Sequence, residues 1–163
     1  MTQHYILALG SNRRHGRFGA PGRVLAAAVD ALSGAGIDIL RASRTIDSAP
    51  IGPAQRRYAN MVLLAQSKLA PQQLLAILQG VERAFGRRRA RRWGPRVIDI
   101  DIILWSGGRI QSPTLTIPHP RWHERGFVAP LVAELVPDWR AGIAPATARQ
   151  IGRRLLATNG EGA

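Results

Sequence analysis

Two aspartates, Asp99 and Asp101, alternate with isoleucines in the run Val97-Ile98-Asp99-Ile100-Asp101-Ile102-Ile103-Leu104-Trp105. Successive side chains of a strand point to opposite faces. Ile98, Ile100 and Ile102 therefore share one face, and both aspartates share the other. Two steps of about 3.3 Å put the carboxylates roughly 6–7 Å apart along the strand. Like charges at that spacing repel unless something positive lies between them, and the preceding stretch, Arg87 to Arg96, supplies six arginines. Hard carboxylate oxygens able to hold a divalent cation, beside a basic loop, suggest a site for a polyphosphate. Two blander readings stand beside it. The aspartates could form a solvated strand face paired with Arg92 and Arg96, and the arginines could line a solvated loop or contact nucleic acid.

The elements that must position these residues follow from hydrophobic spacing. His4 to Leu9 alternates as a first strand and ends in the polar turn Gly10-Ser11-Asn12. Val24, Leu25, Ala28 and Leu32 recur at helical spacing between Arg23 and Ser33, before Gly34 and Gly36. Ile37 to Ala49 and Tyr58 to Lys68 are expected as strands, with Tyr58 and Asn60 on one face of the latter. Pro71 suits a helix start, and Leu74, Leu75, Leu78, Val81 and Phe85 give that helix an apolar stripe ending at Gly86. After the Asp99/Asp101 strand come a Ser-Gly-Gly turn at 106–108 and a short return to Ile117. Helices are expected over His123 to Leu135 and Thr147 to Ala157. The order β-α-β-β-α-β with C-terminal additions matches a ferredoxin-like α+β sandwich with a largely antiparallel sheet. Helices would cover one face of that sheet and leave the other to loops and ligands. One domain spanning residues 1–163 is expected, with 158–163 a frayed tail.

Bulk composition narrows the partners. The formal charge of +13 favours an anionic partner, although Lys68 is the only lysine and so uniform a use of arginine can reflect genome composition. With no cysteine there is neither a disulfide framework nor a Cys-based zinc site. No apolar run reaches the ~18 residues of a membrane span, so a cytoplasmic protein with no membrane partner is expected. The phosphate-binding pattern G-x-x-x-x-G-K-[ST] is absent. An ATP site here must use arginines and metal ions, and the planar guanidinium is suited to phosphate oxygens.

The stretch Arg92-Trp93-Gly94-Pro95-Arg96-Val97-Ile98-Asp99-Ile100-Asp101 closely resembles the signature of the 6-hydroxymethyl-7,8-dihydropterin pyrophosphokinases of the folate pathway. Three further stretches agree in order: Leu9-Gly10-Ser11-Asn12, Tyr58-Ala59-Asn60, and Pro118-His119-Pro120-Arg121 through Arg125-Gly126-Phe127. The resemblance runs from about Tyr5 to Asp138. It implies transfer of a pyrophosphoryl group from ATP to the pterin hydroxymethyl, releasing AMP. By the same resemblance Asp99 and Asp101 would hold two Mg²⁺ ions, and His119 and Arg125 would contact ATP phosphates. Arg89, Arg92, Trp93 and Arg96 would belong to a catalytic loop that closes over the nucleotide, with Gln79, Glu82 and Ile102 on the nucleotide side. The pterin would lie between Tyr58 and Phe127, with Asn60 on its polar edge and Ser48, Pro50, Ile51 and Gly52 completing the pocket. A monomer acting on pterin and ATP, without nucleic acid, is implied. A nucleic-acid-binding module using the arginine loop is the alternative, but carboxylates repel a phosphate backbone unless metal-bound. An inactive relative is a third possibility, opposed by the intact aspartate pair and His119. The chain departs from the family's pattern at Ile46-Asp47-Ser48, beside the pterin pocket, and in the basic, glycine-rich segment 13–22.

Overall fold

Strand alternation and helical stripes decide which surfaces meet. The computed structural model describes residues 1–48, 56–86 and 97–160. Seven elements build the main sheet and its first helical layer: β1 (Gln3–Ser11), α1 (Pro21–Gly34), β2 (Asp38–Ala42), β3 (Ile46–Ser48), β4 (Tyr58–Ser67), α2 (Pro71–Ala84) and β5 (Asp99–Trp105). The sheet order is β2-β4-β1-β5, with β3 also on β4, and every pairing is antiparallel. With β2 and β3 taken as one interrupted strand, this is the ferredoxin-like arrangement expected from the order of elements.

The apolar stripes of α1 (Val24, Leu25, Ala28, Leu32) and α2 (Leu74, Leu78, Val81) are buried. They pack on Tyr5, Leu7, Leu9, Met61, Leu63, Ile98, Ile100 and Ile102, one side of the alternating strands. Tyr5 is fully buried and its hydroxyl donates to the Leu69 carbonyl at 2.6 Å. Burial pushes its phenol up to about 12. Segment 13–22 forms a closed turn, with His15 and Gly19 exchanging two 2.8 Å backbone bonds and Phe18 stacked on Phe85 at 5.0 Å.

The opposite sheet face is not left free, which corrects the expectation of a single helical layer. Helix α3 (Val128–Leu135) covers part of it, and α4 (Ala148–Gly160) packs against α3. Ile6, Ala8, Val62 and Leu104 there meet Trp122, Val128, Leu131 and Val132 in a second core. The cause is α3 itself, which buries Val128, Ala129, Leu131, Val132 and Leu135 and so needs an apolar surface. The two helices approach closely at Gly152, where a Cβ would stand 2.8 Å from that of Ala133.

Other boundaries also moved. The strand expected over 37–49 is two short strands, because at Ser43 the side-chain hydroxyl accepts the Val62 amide at 2.9 Å in place of a ladder carbonyl. The helix expected from His123 begins at Val128. Pro130 then falls in its first turn, where a missing N–H costs no hydrogen bond. The last helix starts one residue later than expected and continues to Gly160. A small hairpin of β6 (Ile110–Gln111) and β7 (Thr116–Ile117) forms the return after β5.

Candidate active site

Register brings the predicted residues together. On the α3 face, Gly10 of β1 lies between Asn60 of β4 and Asp99 of β5. In the next row, Ala8 lies between Val62 and Asp101. Two interstrand spacings of about 4.8 Å therefore separate the Asn60 and Asp99 backbones. The face is apolar under α3 and becomes polar as the strands run out from beneath it. Gly10 keeps the middle of the polar end open: a Cβ there would sit 3.1 Å from Asn60 Oδ1 and 3.8 Å from Tyr58 Cδ1. The first strand, expected to end at Leu9 in a Gly10-Ser11-Asn12 turn, instead runs on through Ser11, and this is what places Gly10 between the two halves.

The β4 half holds Tyr58, half-buried, and Asn60, only 2% exposed. Asn60 Nδ2 donates to Ser48 Oγ at 2.7 Å and to the Tyr58 carbonyl at 3.3 Å. Ser48 pairs directly with Tyr58 across β3 and β4, so the departure at Ile46-Asp47-Ser48 still delivers a hydroxyl to the Asn60 amide. Pro50, Ile51 and Gly52 lie outside the described residues, as do Arg89, Arg92, Trp93 and Arg96.

The β5 half is held by the segment leading into α3. Arg125 Nη1 donates to Asp101 Oδ2 at 2.8 Å, with both side chains about one-third exposed. Phe127, two residues on, is the N-cap of α3 and packs partly against the second core. The His119 amide donates to the Ile103 carbonyl at 2.9 Å, fixing this segment to the end of β5. Its Nδ1 accepts the Arg121 amide at 3.2 Å, which leaves Nε2 as the atom able to act outward. Burial pushes the His119 imidazole below the ordinary histidine range; the Asp101 carboxylate pulls the other way, and Arg125 and Arg121 push it down. A neutral imidazole is thus favoured near neutral pH.

Three predicted nucleotide-side residues are placed unequally. Gln79 is exposed on α2. The side chain of Ile102 is 2% exposed and belongs to the α1/α2 core, so only its backbone is positioned to meet a ligand. Glu82 is 3% exposed, and its Oε1 accepts the Ile100 amide at 2.9 Å. Asn12 was not singled out by itself in the sequence. It is 5% exposed, with no hydrogen-bond partner for Oδ1 among the described residues, and the polar run after Leu9 was its only signal.

The chain is similar to several known proteins. Residues 6–137 match the family described as 7,8-dihydro-6-hydroxymethylpterin-pyrophosphokinase (HPPK). The chain is 38% identical over 140 residues to a 2-amino-4-hydroxy-6-hydroxymethyldihydropteridine pyrophosphokinase of Methylorubrum extorquens, covering 85% of each chain. A protein of the same name from Pseudomonas aeruginosa is 38% identical over 142 residues, covering 86% of this chain and 85% of that one. The Synechocystis protein of that name is 40% identical over 105 residues, 64% of this chain and 54% of its own length. Among solved structures, the fold is similar to Plasmodium falciparum HPPK-DHPS, with a TM-score of 0.75 and 12% identity, over 99% of this chain and 46% of that longer one. The chain belongs to the 7,8-dihydro-6-hydroxymethylpterin-pyrophosphokinase family and is a pyrophosphokinase.

Proposed function

We propose that this chain transfers a pyrophosphoryl group from ATP to the 6-hydroxymethyl oxygen of 7,8-dihydropterin, giving AMP and the pterin diphosphate. The observation that carries the reading is the shared sheet face, with Tyr58 and Asn60 on one side of Gly10 and Asp99 and Asp101 on the other. The hydroxymethyl oxygen bonds to the β-phosphorus of ATP as the bond from that phosphorus to the α–β bridging oxygen breaks. AMP leaves, and the hydroxyl proton passes to solvent. Such transfers depend on alignment and charge neutralisation more than on a strong base.

Tyr58 and Phe127 offer ring faces to a flat heterocycle, and the Asn60 amide can both donate and accept along its edge. Ser48 orients that amide through the 2.7 Å bond. Pro50, Ile51 and Gly52 complete this pocket in our reading. The donor set of β5 fits Mg²⁺: two hard carboxylates on one strand face, partly exposed, where one or two carboxylates plus substrate phosphates are the usual complement. Asp99 and Asp101 would hold two such ions, which when bound neutralise the phosphate chain. His119 and Arg125 face the phosphates, and Arg89, Arg92, Trp93 and Arg96 close over the nucleotide, with Gln79, Glu82 and Ile102 on its side of the site.

We read the chain as one domain acting as a cytoplasmic monomer on pterin and ATP, without nucleic acid. Among the described residues no helix is long and apolar enough to cross a membrane, and the exposed large hydrophobics are Met1 and Leu40. Incubation with ATP, Mg²⁺ and hydroxymethyl-dihydropterin should yield AMP and the pterin diphosphate. Formation of ADP, or no pterin-dependent turnover, overturns the reading.

A further inference from the structure

The basic segment 13–22 departs from the family's pattern and holds none of the residues assigned to pterin, metal or nucleotide. Arg13 and Arg14 follow the end of β1, while Arg56 and Arg57 lead into β4. Those two ends adjoin, because Ser11 pairs with Ala59 and Gly10 with Asn60. All four arginines are exposed, and none makes an ion pair with any described residue. Other exposed arginines hold carboxylates: Arg44 meets Glu134, Arg121 meets Glu124 and Arg149 meets Asp138. Asp47, Asp99 and Asp101 are the only carboxylates on β1, β3, β4 and β5, and Arg125 already covers Asp101. Segment 13–22 is also held in place by the His15–Gly19 bonds and by Phe18 on Phe85. Four like charges gathered at one end of the sheet repel one another. Their arrangement fits an anion that arrives from outside.

We infer that Arg13, Arg14, Arg56 and Arg57 form an electrostatic rim that draws a nucleotide polyphosphate toward the site and does not grip it once bound. The inference rests on the reading of ATP as the pyrophosphoryl donor. Arg13 stands three residues from Gly10, and Arg57 three from Asn60. At about 3.3 Å per residue, each backbone lies roughly 10 Å from that row of the site. The Debye length is about 10 Å at 0.1 M salt and about 3 Å at 1 M, so their field reaches the site at the lower salt and not at the higher. A polyphosphate nearing Asp99 and Asp101 is repelled until metal is bound, and positive charge at the same end offsets that repulsion. Fields of this kind raise association rates roughly 10- to 10³-fold. Lys68 makes a contrast. It follows Ser67, which pairs with Gln3 at the other end of β1, seven residues or about 24 Å from Gly10.

Association and dissociation of a fluorescent, non-hydrolysable ATP analogue with Mg²⁺ are measured by stopped flow at about 0.1 M and about 1 M salt. In the quadruple variant Arg13→Gln/Arg14→Gln/Arg56→Gln/Arg57→Gln, kon is expected to fall about tenfold at the lower salt. It should match the wild type at the higher salt, with koff unchanged at both. The double variant Arg14→Gln/Arg57→Gln is expected to lose about threefold in kon at the lower salt. Lys68→Glu removes as much net charge at the opposite end of the sheet and should leave kon unchanged. Equal losses in the double variant and Lys68→Glu assign the effect to net charge and overturn the inference. A kon deficit that persists at the higher salt, or a raised koff, makes the arginines binding residues and overturns it too. Retention of single-stranded RNA by the wild type, lost in the quadruple variant, assigns the rim to nucleic acid and also overturns it. Should the quadruple variant fail to fold, the double variant against Lys68→Glu decides alone. A wild type that binds no ATP analogue overturns the reading of ATP as donor instead, a separate outcome.

Discussion

The two faces of the β1-β4-β5 sheet are made by the same strands and do opposite things. On the α1/α2 face the side chains stay apolar along most of each strand: Leu9, Met61 and Ile100 are as buried as Tyr5, Leu63 and Ile102. On the other face the character changes part-way. Ile6, Val62 and Leu104 lie in the core with α3, whereas Gly10, Asn60, Asp99 and Asp101 form the polar end beyond it. Because alternation has a period of two, Asn60, Asp99 and Asp101 each sit between two core residues along the chain. A site of this kind inherits its rigidity from the face behind it, while its own side chains carry little of the stability.

That comparison can be broken by exchanging the expected effects of the two faces. Leu63→Ala, on the apolar face, should cost about 2–5 kcal/mol of stability, seen as a lower denaturation midpoint, with turnover per folded molecule preserved. Asp99→Ala, on the polar face, should lower turnover on the order of 10²–10³-fold while the melting temperature stays within a few degrees. If Asp99→Ala unfolds the chain, or Leu63→Ala abolishes turnover of the folded fraction, the division between the faces is wrong. Asn60→Ala sharpens the division within the polar end. It should raise the pterin KM about tenfold, from loss of a hydrogen-bonding group worth about 1–3 kcal/mol, and leave the ATP KM unchanged in steady-state assays.

The smallest expected effect concerns pH. His119 and His123 are both held below the ordinary histidine value of 6.5, in each case chiefly by burial. The unfolded chain therefore takes up their protons first as the medium is acidified. The stability they contribute is present above about pH 6.5 and is lost as pH falls through the depressed folded values. Melting temperatures measured from pH 7.5 down to 5 should fall, and the double variant His119→Gln/His123→Gln should flatten that slope. An unchanged slope would show that these imidazoles are not held neutral.

Much of the site was legible because its spacing is local. The Ile-Asp-Ile-Asp-Ile alternation assigned both aspartates to one face before any partner strand was known, and the observed burial agrees. Tyr58 and Asn60 were placed on a common face for the same reason. What could not be read was which faces meet. Nothing in the period of two says whether the Asn60 face and the Asp99 face point to the same side, since that depends on pairing both strands with β1 in a given register. The second helical layer was missed on similar grounds. Apolar stripes in 128–135 and 148–160 announce helices that need a surface but do not name it. The break in 37–49 was invisible because Ser43 uses its hydroxyl where a ladder would use a carbonyl.

The amino-acid sequence by itself therefore determined the order of elements, the face of each functional side chain within its own strand, and the family through its four ordered motifs. Those properties depend on residues close together along the chain. Tertiary structure decided the rest: Gly10 as the open middle between Asn60 and Asp99, Arg125 on Asp101, and Glu82 on the Ile100 amide. Each of these joins residues on different elements, and only strand register and helix packing select them from the many pairings that the same local patterns allow.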